Sequence, residues 1–99
     1  MEPEILAEVS FFPTDQGGRR GPTAADFFAC PLKTSNQFFD CRLLLAQTGP
    51  ISPGQTVTVP IAFLYPELAS PLLPEGAKFE LWDGRIIASG RVISVLRAA

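Results

Sequence analysis

Histidine is absent from this chain, and cysteine occurs only twice, at Cys30 and Cys41. The usual Cys/His zinc sites cannot be assembled within one such chain, so no metal centre is expected. The same absence removes the imidazole base that activates a serine or cysteine nucleophile. The two cysteines lie in apolar stretches where nothing obvious lowers a thiol pKa. The carboxylates are scattered over turns and strand faces, and pairing two of them, such as Asp40 with Glu80, as a general acid and base has no support in their spacing. Catalysis is not expected, nor is a cofactor or a small-molecule substrate.

Charge is also sparse. Only 18 % of the 99 residues are charged, against 46 % hydrophobic, and the formal net charge is −2. The overall field repels phosphate backbones, so a nucleic-acid site would have to be a local basic patch. No run approaches the roughly 18 apolar residues of a membrane span. The opening "MEPEILAEVS" carries acidic residues where a signal peptide needs basic ones. A soluble, cytoplasmic protein is therefore expected. Cys30 and Cys41, eleven residues apart on what read as successive strands, could meet as a disulfide, but without an export signal the expectation is two buried free thiols.

Alternation with a period of two dominates what is present, and no window carries the 3.6-residue stripe of an amphipathic helix. In "EILAEVSFF", Ile5, Ala7, Val9 and Phe11 share one face, while Glu4, Glu8, Ser10 and Phe12 share the other. A loop of about a dozen residues, "PTDQGGRRGPTA", follows, and then a short strand, "DFFAC". "QFFDCRLLL" puts Phe39, Cys41, Leu43 and Leu45 on one side, and "ISPGQTVTVPIAFLY" sends Val57, Val59, Ile61 and Phe63 inward. Pro53-Gly54 suits the centre of a type II turn. Pro60, unable to donate to a ladder, belongs at an edge or a bulge. "PELASPLLPEG" reads as a proline-rich connection, not a helix. Asp83-Gly84 reads as a two-residue hairpin turn with positive φ angles, and Gly90 as a bulge or a close backbone approach. Six strands in one apolar unit spanning residues 1–99 predict an all-β fold, a small closed barrel in which no edge is left unpaired.

Two blocks of the chain resemble the third, C-terminal domain of bacterial elongation factor Tu. "AEVSFFPTDQGGRRGP", Ala7 to Pro22, is similar to the opening of that domain, an E-V strand running into a G-G-R loop. Ile51 to Leu96 is similar to its remainder, through Pro53-Gly54-Gln55, Pro66, Glu75-Gly76, and the closing hairpin with Gly84-Arg85, Gly90 and Val92. The resemblance covers about two-thirds of the chain and implies a six-stranded antiparallel barrel. Thr23 to Thr48 departs from the family pattern where part of its transfer-RNA contact surface lies. The phosphate-cradling G-x-x-x-x-G-K-[ST] pattern is absent from these residues. The resemblance thus implies one barrel of a translation factor, used alone.

Two sets of candidate contact residues emerge. Adjacent phenylalanines in a strand must point to opposite faces, so Phe12 and Phe38 are expected to face outward, together with Trp82. Between Phe27 and Phe28 the pattern does not choose. Exposed apolar surface of this kind marks a protein-binding or self-associating face unless loops fold over it. Arg19, Arg20, Arg85 and Arg91 form the other set, a basic patch for an anion or RNA if the barrel gathers them. Three readings follow: a non-catalytic module docking onto a protein partner, with mimicry or protection of elongation factor Tu as one form of it; an RNA-binding accessory protein; and a self-associating structural protein.

Overall fold

The computed structural model describes residues 1–97. Its strands are β1 (Ile5–Phe11), β2 (Phe27–Thr34), β3 (Gln37–Leu44), β4 (Thr56–Phe63), β5 (Lys78–Trp82) and β6 (Ile86–Val95). They close into an antiparallel barrel in the order β1-β4-β3-β2-β5-β6, with β6 returning to β1. The fold is therefore an all-β, six-stranded barrel. Alternation supplies the inside: Ile5, Ala7, Val9 and Phe11 of β1 are all buried, and Leu32, Leu43, Val59, Ile61, Leu81 and Val92 meet them from the other strands. Closure gives each described strand a partner on both sides, although the β2–β5 and β3–β4 ladders are short.

The two prolines within strands show how a barrel accommodates a missing donor. Pairing of β3 with β4 covers only Cys41–Leu43 against Ile61–Phe63, so Pro60 stands just past the end of that ladder. Pro31 similarly lies beyond the two residue pairs that join β2 to β5. Neither nitrogen is asked to donate. Because Pro31 costs no hydrogen bond, β2 runs on to Thr34, three residues past Pro31 and beyond the expected "DFFAC".

Three turns carry the chemistry of their residues. Gly54 has φ +87° behind Pro53, and the Gln55 N–H donates to the Ser52 carbonyl at 3.1 Å, as a type II turn requires. Ser35 and Asn36, both in the left-handed region at φ 50° and 59°, join β2 to β3. The turn between β5 and β6 differs from expectation: it spans Asp83–Arg85, with Trp82 opposite Ile86. Only Gly84 has positive φ there, at +76°, and the ladder shifts register between Leu81 and Trp82. The extra residue is absorbed as a bulge, which increases local twist.

The connection after β4 also departs from the sequence reading. It contains a one-turn helix, α1 (Pro66–Ala69), continuing into a 3₁₀ turn at Ser70–Leu72. Pro66 at the first helical position has no intrahelical bond to lose, and four residues are too few to show a periodicity. The turn buries Ala69 and Leu73 and leaves Leu64, Tyr65 and Leu68 exposed.

Candidate functional site

Cross-strand register decides which outward aromatics meet. Phe38, the second residue of β3, is opposite Lys33 on β2, and Lys33 is in turn opposite Glu80 on β5. Trp82 ends β5 on the same outer surface. The Phe38 and Trp82 rings meet edge to face at 6.0 Å between centroids, with Phe38 53 % and Trp82 38 % exposed. Such a pair has the geometry aromatic quadrupoles favour. The Lys33 ammonium lies 5.9 Å from the Phe38 centroid, which places a cation beside the apolar surface.

Phe12 is not the open aromatic that alternation suggests. It follows the last residue of β1, is half-buried, and donates its N–H to the Ile87 carbonyl at 2.9 Å. Gly18 folds so closely against the Phe12 carbonyl that a Cβ at Gly18 would lie 1.9 Å from that oxygen. The long loop thus covers the segment it leaves. The open choice on β2 is settled: Phe28 is buried and stacks edge-on against Phe11, whereas Phe27 faces out under the Arg42 guanidinium, 4.6 Å from its ring centroid.

The four candidate arginines are not gathered into one patch. Arg85 donates from Nε to the Gly17 carbonyl at 2.7 Å and from Nη2 to the Gly18 carbonyl at 2.9 Å. Arg19 reaches the Asp83 carboxylate at 3.0 Å and stacks over the Phe28 ring at 4.7 Å. Two of the four therefore clamp the glycine loop onto the β5–β6 turn. Arg91 stands on β6, six residues beyond Arg85, about 20 Å away along an extended strand. It is 3.7 Å from the Glu8 carboxylate. Arg20 is exposed.

Beside the aromatic pair lies a wide polar groove of about 690 Å³, lined by Glu8, Lys33, Lys78, Glu80 and Arg91 among others. Its charges are of both signs, so it does not select an anion by field alone. A smaller depression of about 300 Å³ opens near Met1, Asp40 and Leu64 and is lined by both cysteines. Cys30 and Cys41 are buried free thiols, as expected, and stand directly opposite each other in the β2–β3 ladder. Their shared hydrogen bond, then burial, then the nearby charges of Cys30 and Asp40, hold the Cys41 thiol well above its ordinary pKa. Among the described residues no three His, Cys, Asp or Glu side chains cluster in a way that would hold a metal ion. No helix among them is long and apolar enough to cross a membrane.

Sequence reasoning missed two features. Glu4 was assigned to the outer face, yet it is 2 % exposed and accepts a hydrogen bond from the Phe63 N–H at 2.8 Å. Its other oxygen meets Arg97 at 3.2 Å. Leu64, Tyr65 and Leu68 form a second run of exposed apolar residues, hidden in the sequence by the prolines around them. In comparisons with known proteins, no protein-family model matches this chain and no curated protein is significantly similar to it.

Proposed function

We propose that this chain is a non-catalytic docking module, a barrel that binds a protein partner through the outer surface around Phe38 and Trp82. The observation that carries the reading is the pair itself. Two large rings in edge-to-face contact stand open on strands that a closed hydrogen-bond ladder holds rigid. Aromatic anchors presented on a fixed scaffold lose little conformational entropy on binding, and such residues dominate binding energy at protein interfaces. Lys33 at the side of Phe38 adds a charge that orients a partner.

The resemblance to the third domain of elongation factor Tu supports the same reading from a different side. A barrel of that type offers a surface that the factor uses for contacts, and the partner is then a protein that engages the factor, or one that targets the factor and that this chain neutralises. The arginine arrangement gives the RNA reading less support, because Arg19 and Arg85 are committed to the glycine loop and Asp83.

Affinity capture of the tagged chain from native lysate, with and without RNase, tests the proposal beside a Phe38→Ser, Trp82→Ser double variant. A protein that survives RNase and is lost with the variant is the expected result. Recovery of RNA alone, released by raised salt, would transfer the function to nucleic-acid binding. A dimer in light scattering that the variant abolishes would identify the occupant as a second copy.

A further inference from the structure

The two cysteines occupy a position with more chemistry than packing requires. In β3, the Asp40 carbonyl accepts from Leu64 on the β4 side, whereas the Leu45 N–H donates to Asp26, just before β2. Odd-numbered β3 residues therefore direct their backbone groups to β2, and Cys30 and Cys41 form a hydrogen-bonded cross-strand pair. Opposed Cα atoms in such a pair are about 5.5 Å apart. A disulfide spans Cα separations of about 4.4–6.8 Å but favours Cβ atoms about 3.5–4.5 Å apart, closer than the roughly 5.5 Å of a hydrogen-bonded pair. The bond formed here is therefore strained and readily reduced. Both side chains point to the barrel interior, with Cys30 7 % and Cys41 3 % exposed, and both residues border the depression beside Leu64.

We propose that Cys30 and Cys41 form a reversible dithiol–disulfide couple, closed by exchange with a low-molecular-weight disulfide at Cys30, the more exposed of the two. Cys30 loses its proton and attacks one sulfur of the entering disulfide. That S–S bond breaks, a small thiolate leaves, and a mixed disulfide forms on Cys30. The Cys41 thiol then gives its proton to solvent, and its sulfur displaces the second small thiol from Cys30. Two protein thiols are oxidised, and one small disulfide is reduced to two thiols. The hydrogen bond and burial that keep the Cys41 thiol protonated suit it to act second, after Cys30 has been modified. The resulting bond staples β2 to β3, the hairpin whose tip carries Phe38.

The test is incubation of the native full chain with oxidised glutathione, an acid quench, and intact-mass and thiol measurements after unfolding. The expected product is a monomer that has lost two hydrogens and both titratable thiols. Trypsin separates the cysteines at Lys33 and Arg42, so the disulfide joins Gly21–Lys33 to Thr34–Arg42. A Cys41→Ala variant is expected to stop at the mixed disulfide, and a Cys30→Ala variant to stay unmodified. Retention of both thiols by the wild-type chain, a stable mixed disulfide on it, or cross-linked dimers would overturn the couple. Modification of Cys41 in the Cys30→Ala variant would overturn the order of attack. The wild-type result stands alone if either variant fails to fold.

Discussion

Phe79 lays its ring in the space that a side chain at Gly90 would occupy. The two residues are opposite each other on β5 and β6, and a Cβ at Gly90 would come within 2.5 Å of the Phe79 Cζ and 2.8 Å of the Glu8 carbonyl oxygen. The glycine is thus the complement of a large core ring. Gly90→Ala is expected to destabilise the barrel by roughly 1–3 kcal/mol, the usual cost of overpacking. Urea unfolding should show a lowered midpoint with unchanged slope, and a Phe79→Leu partner change should recover part of the loss.

Glu4 closes one end of the barrel by satisfying groups from two segments, the end of β4 and the chain that follows β6. Besides its side-chain bonds to Phe63 and Arg97, its N–H donates to the Ile61 carbonyl and its own carbonyl accepts from Leu96. Glu4→Ala strands the buried Phe63 N–H, and a loss of about 1–3 kcal/mol is expected. Glu4→Gln retains an acceptor and should lose less. Half-exposed Arg97 contributes little through charge alone, so Arg97→Met should have a smaller effect than Glu4→Ala in the same urea titration.

Arg85 holds the glycine loop by two charge-assisted bonds, to the carbonyls of Gly17 and Gly18. Removing them in Arg85→Ala should raise the population in which this loop is open without unfolding the barrel. Limited trypsinolysis reads this directly, because Arg19 and Arg20 lie in the loop. Cleavage there is expected to accelerate about tenfold, the equivalent of ~1.4 kcal/mol of local stability. An unchanged rate would mean that the Arg19–Asp83 contact suffices to hold the loop.

The raised pKa of Cys41 makes stability depend on pH on the alkaline side. In the unfolded chain the thiol ionises near pH 8.5, while in the folded barrel it stays protonated to higher pH. The unfolded state therefore loses its proton first. Stability present below about pH 8.5 falls as pH rises toward the folded value, by up to ~1.4 kcal/mol per pH unit. Urea unfolding at pH 7 and pH 9.5 under reducing conditions should show this loss, and Cys41→Ala should flatten it.

Much of this molecule was legible in its residues. Alternation from Ile5 to Phe11 and from Val57 to Phe63 assigned the inner face correctly, since a side chain's face depends only on its place along an extended strand. Gly54 and Gly90 likewise announced the turn and the close approach that the structure contains. Ser35-Asn36 was overlooked as a turn because neither residue is glycine, although both adopt positive φ. Glu4 was placed with the outward residues because period-two counting ignores what closes over the end of a barrel.

The sequence by itself determined the fold class and the inward half of each strand, because both follow from local spacing and from the need to bury apolar area. Tertiary structure alone decided which outward residues meet. Phe38 and Trp82 are 44 positions apart and touch only because β2 brings β3 and β5 to either side of it. Cys30 and Cys41 face each other because a two-residue turn sets the β2–β3 register, and Arg19 and Arg85 share a corner because the barrel closes there. Register and closure are relations between distant segments, and two-residue slips, which keep every side chain on its own face and which local spacing therefore does not forbid, would send each of these side chains to other neighbours.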